Sequence, residues 1–187
     1  MTDVLDPATA QAAAPPRFRL QFERREDRAA VDALIGRAFG PGRFAKTAER
    51  LREGARVRTD LSWCVWDGPR LLGAVRVWPL ALGGAQGVFL GPIAVEADER
   101  RRGLGALLVE RTCEAAADAG DPWVLLVGDA GFFEPLGFRR APPGVRLPGP
   151  VDASRVFVRE IAPGAAGGLD GLAEIPRLPR GARRASP

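Results

Sequence analysis

Arg17-Phe18-Arg19-Leu20-Gln21-Phe22 alternates polar and apolar side chains with a period of two, the pattern of a strand with one buried face. The period then lengthens. Val31, Leu34, Ile35, Ala38 and Phe39 fall at helical spacing behind Glu26 and Asp27, which suit a helix N-terminus, and Gly40-Pro41-Gly42 stops the run. Residues 44–56 repeat the helical spacing more weakly through Ala48, Leu51 and Ala55. Leu61–Trp66 and Leu71–Trp78, joined at Asp67-Gly68-Pro69-Arg70, predict an antiparallel hairpin, and Gly83-Gly84 turns the chain into a strand over Val88–Val95. A helix over Gly103–Ala119 is expected to bury Leu104, Leu107, Leu108 and Ala115 and to end at Gly120-Asp121-Pro122. Trp123–Val127 is apolar throughout, as strands covered on both faces are. A strand, a helix and a second strand in succession predict a parallel pair with a right-handed crossover.

Beyond Gly128-Asp129, residues 130–137 predict a short helix or turn closing at Gly137, with a strand resuming at Phe138. A loop rich in proline and glycine follows over 140–153, and Val156–Ile161 supplies the last expected strand. The pattern therefore describes one α/β domain over residues 17–162. An Ala-rich leader without periodicity precedes it at 1–16, and a Gly/Pro/Arg-rich tail follows at 163–187, with little order expected from about residue 176.

Composition narrows the chemistry. The chain has 187 residues, 46% apolar and 27% charged, which suits a single globular domain with a substantial core. Its net charge of +4 is small, and its arginines are spread along the chain rather than interleaved with aromatics, so nucleic acid is not an expected partner. No apolar run is long enough to span a bilayer and residues 1–16 lack a signal-peptide pattern, so the expectation is a cytoplasmic protein without membrane contact. Cys64 and Cys113, on an expected strand and helix, are expected to be small buried apolar residues. There is no histidine and no close cysteine pair, which argues against a zinc site, and the absence of histidine excludes a Ser-His-Asp hydrolase. Tyrosine is absent as well, leaving Asp, Glu, Cys, Lys46 or water to move protons.

The most informative stretch is Leu90–Leu108, where an apolar strand feeds Arg100-Arg101-Arg102-Gly103-Leu104-Gly105-Ala106 at the start of a helix. Amides in the first turn of a helix have no partner inside it, and glycines let an anion approach them, so the layout suits a pyrophosphate. Glu96 and Glu99 are expected on the outside of that loop. A Rossmann site fits poorly. The third glycine of its fingerprint falls on Leu108, and the strand that follows carries no acidic residue.

Val95–Ala106 resembles the acetyl-CoA-binding signature of the GNAT N-acetyltransferases: Arg or Gln, two variable residues, Gly, one variable residue, then Gly or Ala. Phe132-Phe133-Glu134-Pro135-Leu136-Gly137-Phe138 is similar to that family's second signature, and Gly91–Val95 with Val127-Gly128-Asp129 looks most like its YhbS-like branch. The resemblance implies a mixed sheet of six to seven strands, splayed in a V between the fourth and fifth, with about four helices. It implies that amides of Arg101–Ala106, with the charges of Arg100, Arg101 and Arg102, hold the pyrophosphate of acetyl-CoA as co-substrate, with no metal. Main chain of Ile93, Ala94 and Val95 would pair with the pantetheine arm, one amide there serving as oxyanion donor, and Phe132 and Phe133 would line the same site. The acceptor would be a small-molecule or peptide amine, in a pocket walled by the first helices and the 140–153 loop. A homodimer is left open.

The family's usual proton donor to the leaving sulfur is a tyrosine where this chain has Phe133. Asp129, at the carboxyl end of the apolar strand, is the candidate catalytic proton carrier, with a capping role at Ala130-Gly131 as the alternative. Two functions stay open: acetyl transfer to a weakly basic amine by direct attack in a ternary complex, or a non-catalytic acyl-CoA-binding or regulatory domain of the same fold.

Overall fold

The computed structural model describes residues 18–40, 51–52 and 54–176. The expected leader, most of the helix expected over 44–56 and the end of the tail lie outside these residues. Strand β1 (Arg19–Phe22) leads through a 3-10 turn into helix α1 (Arg28–Phe39), followed by β2 (Trp63–Asp67), β3 (Arg70–Leu82) and β4 (Ala85–Val95). Helix α2 (Leu104–Asp118) connects to β5 (Trp123–Val127), and α3 (Ala130–Phe133) to β6 (Arg139–Arg140), β7 (Val145–Arg146), β8 (Val156–Glu160) and β9 (Gly171–Glu174). The sheet runs β1-β2-β3-β4-β5-β8-β6, with β9 joined to β3 and β7. The two parallel contacts among these strands are β4–β5 and β7–β9. The main path of the sheet has seven strands, within the six to seven expected, with β7 and β9 added off it, and three α-helices stand among the described residues.

Strand alternation divides the core between the two faces of the sheet. Val75, Val77, Val88, Leu90, Val124 and Leu126 point to the face covered by α2. Its buried side chains are Leu104, Leu108, Val109, Thr112, Cys113 and Ala116, a stripe in which the expected Leu107 and Ala115 are only half-buried. The opposite face carries two separate clusters. Val31, Leu34 and Ile35 of α1 cover Cys64, Leu71, Ala74 and Ala94, while Leu80, Leu82, Phe89, Trp123 and Leu125 meet Leu147, Ala166, Leu169 and Ala173.

The second of these clusters draws on residues that follow 162. Ala166, Leu169 and Ala173 are buried, β9 pairs with the end of β3, and the Glu160 carboxylate accepts a hydrogen bond from the Ala166 amide at 2.8 Å. Glycines at the contact are what let this segment dock. A Cβ on Gly83 would lie 2.4 Å from the Asp170 carbonyl oxygen, and one on Gly171 would lie 3.0 Å from the Gly83 nitrogen. Gly83 and Gly84 also take positive φ values of 52° and 91°, as a two-residue hairpin turn requires, so β3 and β4 run longer than their patterns suggested.

Two outcomes follow. A chain ending at Ala162 uncovers the Leu80–Leu82 face and is expected to lose about 3 kcal/mol or more, a fall in Tm of roughly 6–12 °C by scanning calorimetry. The second concerns alkaline pH. Burial pushes the Cys64 thiol up to about 12 and the Cys113 thiol up to about 11. The unfolded chain therefore sheds these protons near pH ~8.5 while the folded chain keeps them, so their stabilising contribution is whole below that pH and declines as pH rises toward 12. Urea melts between pH 8.5 and 11 should show a negative slope of up to about 1.4 kcal/mol per pH unit per thiol, shallower in Cys64→Ala.

Candidate active site

Pairing between β4 and β5 is confined to Val88–Val124 and Phe89–Leu125, after which the strands part. The parting coincides with a bulge. Val75 pairs with Ile93 and Val77 with Leu90, so Gly91 and Pro92 together face Arg76 alone. Pro92 has no amide hydrogen to offer a ladder, and the Trp78 indole holds the Gly91 carbonyl with a 2.8 Å hydrogen bond. Beyond the bulge, the Glu96 amide donates to the Leu72 carbonyl at 2.9 Å. Antiparallel ladders alternate, so Ala94 also turns its amide and carbonyl to β3, while those of Ile93 and Val95 turn into the gap. An extended ligand arm lying there would meet the hydrogen-bonding edge of a strand.

At one end of the gap stands the N-terminus of α2. Gly103 caps it with a left-handed φ of 79° and no side-chain bond, and the first intrahelical bond runs from Leu107 to Gly103. The amides of Leu104, Gly105 and Ala106 therefore have no partner within the helix. Arg101 is the one described non-glycine residue with a positive φ, 69°, a conformation costing on the order of 1–2 kcal/mol. Arg100 and Arg101 line the cavity and form no ion pair among the described residues. Phe132, 40% exposed, lies over Gly105, where a Cβ would come within 3.2 Å of its ring.

Arg102 behaves differently. Of the three arginines expected at the pyrophosphate, it alone pairs with Glu99 and is not part of the cavity wall. Glu99 is buried rather than external, held from its other side by Arg70, which also binds Asp98, while Glu96 is bound by Arg37 of α1. The acidic residues of the loop fix it in place, and Arg70 holds the Asp98 carboxyl below its usual range.

The cavity measures about 1090 Å³ and runs through the gap from the α2 side to the α1 side. Ile35, Ala38 and Phe39 of α1 line its far end with Arg52, Pro150, Val151, Asp152 and Arg155, so the first helix and the end of the 140–153 loop do wall it. Asp129 does not. Its exposed carboxylate caps α3 by accepting from the Gly131 amide at 3.0 Å, and the cavity wall omits it. Phe133 is buried against Gly128, where any Cβ would strike its ring, and meets Phe132 edge-on at 4.8 Å. Asp152 and Arg155 escaped sequence reasoning because they sit in an irregular turn that no periodicity marks. Asp152 accepts from the Ser154 amide, which keeps its carboxyl below the usual range, and the Arg155 Nε donates to the Gly128 carbonyl at 3.2 Å. No group of three or more His, Cys, Asp or Glu residues among those described is placed to hold a metal, and no described helix is long and apolar enough to cross a membrane.

Comparison with known proteins agrees with this geometry. A search of curated proteins finds no match. Among solved structures, the chain is similar to the GNAT N-acetyltransferase YhbS from Escherichia coli in complex with CoA, at 28% identity over 93% of this chain and 94% of that one, with a TM-score of 0.74. A GNAT acetyltransferase from Brucella melitensis in complex with acetyl-CoA shares the fold at 21% identity over 78% of this chain and 89% of its own, with a TM-score of 0.60. The ribosomal-protein-S18-alanine N-acetyltransferase from Escherichia coli does so at 19% identity over 78% and 94%, with a TM-score of 0.54. The model of the Acetyltransferase (GNAT) family matches residues 28–138, more than half of the chain, and the protein belongs to that family, resembling its YhbS-type members.

Proposed function

We propose that the protein is an N-acetyltransferase that moves the acetyl group of acetyl-CoA to an amine by direct attack in a ternary complex. The observation that carries this reading is the through-going gap, with unpartnered helix amides and two unpaired arginines at one end and an unpaired strand edge along its wall. The α2 amides from Leu104 to Ala106 suit the CoA pyrophosphate, with Arg100 and Arg101 adding charge, and the Ile93 and Val95 main chain suits the pantetheine amides. Acetyl-CoA supplies a thioester, whose carbon forms the new C–N bond as the C–S bond breaks and the amine loses a proton.

The chain's own part is to orient and to exclude water. Orientation of two reactants is worth roughly 7–11 kcal/mol, whereas a positioned acid contributes about 10²–10⁴-fold, so Phe133 slows the reaction without forbidding it. A thiolate with an unperturbed pKa near ~8.5 leaves acceptably unaided. Asp129 is occupied as a cap, which leaves Asp152 as the cavity carboxylate without an ion-pair partner, suited to holding the acceptor ammonium. A weakly basic amine, such as an α-amino group near pKa ~7.7–8.0, is the favoured acceptor because it arrives partly neutral. The burial of a phenylalanine at the acid's position also favours a second reading, acyl-CoA binding without turnover.

Free-thiol release from acetyl-CoA across an amine library separates the two, and tight binding without release would establish the second. In the first case Asp129→Ala should cost about 1 kcal/mol in urea melts while leaving turnover per folded molecule within roughly twofold. The arginines provide a separate check by calorimetric titration with CoA. Arg101→Gly should weaken binding about tenfold yet raise Tm by relieving the left-handed backbone, and Arg102→Gln should leave affinity within about twofold.

A further inference from the structure

Of the arginines lining the cavity, Arg155 stands apart from the pyrophosphate end. It follows the turn at Asp152 and adjoins the carboxyl end of β5, where its own carbonyl accepts from the Gly128 amide at 2.9 Å. Its Nε is spent on the Gly128 carbonyl, which fixes the plane of the guanidinium, and its two terminal nitrogens have no partner among the described residues. A fork held in this way is matched to a carboxylate, because little side-chain freedom is left to lose on binding. Around it the far end of the cavity is apolar through Ile35, Ala38, Phe39 and Val151, and its other charged groups are Arg52 and, within the same turn, Asp152. A polycation would find Arg100 and Arg101 facing it at the other end and Arg52 and Arg155 here.

We infer that the acceptor is an amine that also carries a carboxylate, on an apolar body, with the carboxylate bound by Arg155 and the ammonium drawn toward Asp152. This inference rests on the transferase reading, and it names the acceptor class that reading leaves open. A site built to hydrogen-bond a charged group discriminates strongly against an analogue lacking it.

The test uses the full chain, acetyl-CoA and thiol release, with L-phenylalanine, L-leucine and 4-aminobutyrate each compared with its amide, and spermidine as the polycation. Rates are corrected for the neutral fraction of each amine. At least one acid should exceed its amide by about ten- to a hundredfold in kcat/KM, mostly through KM, and spermidine should be poor. Arg155→Gln should erase the preference and Arg155→Lys restore part of it, with CoA affinity and Tm close to those of the parent chain. Equal rates on acids and amides, or a preference that survives Arg155→Gln, would overturn the inference. Absence of thiol release with every amine would overturn the transferase reading instead. Calorimetric titration of the CoA-loaded protein with the three acids and their amides then decides the Arg155 site by itself, acid-selective binding lost in Arg155→Gln supporting it and unselective or absent binding refuting it.

Discussion

The pairing of β4 with β5 stops after Phe89 and Leu125, and most of what the protein can offer a ligand depends on that interruption. Two packing contacts set its limits. On the closed side, the Trp123 ring lies where a Cβ on Gly87 would be, 2.4 Å away, so the strands meet there with no room for a side chain. On the open side, the bulge at Gly91-Pro92 bends β4 away, and Phe133 packs on Gly128 at the end of β5. A sheet held tightly at one end and wedged at the other leaves backbone amides exposed inside a cavity. Such groups are seldom left unmatched in a folded interior unless something else meets them.

The bulge itself is braced from behind by charge. Arg76, the residue it faces, is largely buried and binds Glu23 bidentately, at 2.7 and 2.9 Å, while also reaching Asp32 of α1. A buried ion pair of this kind adds little net stability against an apolar replacement, because both partners lose their hydration, but breaking it strands a charge. Its consequence here is positional: β3, the residue after β1 and α1 are locked together at the level of the gap. The Arg37–Glu96 and Arg70–Asp98 pairs extend the same fastening to the loop before α2. Most carboxylates near the site therefore act as anchors, which explains why a search for catalytic acids in the sequence finds several and the cavity retains few.

Periodicity made the central elements legible, because β2–β5 and α1–α2 bury contiguous stripes and their turns carry glycine at positive φ. The two signatures located the cradle, since backbone amides at a helix start follow from chain path alone. Side-chain partners were not legible. Arg100, Arg101 and Arg102 are chemically identical in the sequence, and only Glu99 beneath the loop distinguishes the third. Asp129 and Asp152 are both turn carboxylates that cap an amide two residues on, and which one meets the cavity depends on how a loop folds over a distant sheet edge. The last strand was missed for a different reason. Gly167–Gly171 has the composition of a flexible tail, and its value lies in fitting against Gly83, a contact between parts of the chain that no local window contains.

The supply of proton carriers constrains the chemistry further. The titratable groups lining the cavity are four arginines, Glu99 and Asp152. Arginine holds its proton through the whole working range of pH and so can orient or attract but not accept. Glu99 is shared between Arg70 and Arg102, and Asp152 is stabilised as a carboxylate by the Ser154 amide, which makes it a weak base. For the reaction proposed here, a cavity so furnished would leave an amine acceptor to shed its first proton to water before it attacks. The turnover proposed for this protein would then follow the neutral fraction of the amine, rising with pH toward the acceptor's own pKa rather than toward that of any group on the protein. In the same proposal the buried Phe133, an apolar ring where a donor would stand, would offer the leaving thiolate no proton and leave its departure to the low intrinsic basicity of the thiol. On that proposal both proton transfers would pass to solvent, and the fold's contribution would reduce to holding two reactants in one gap.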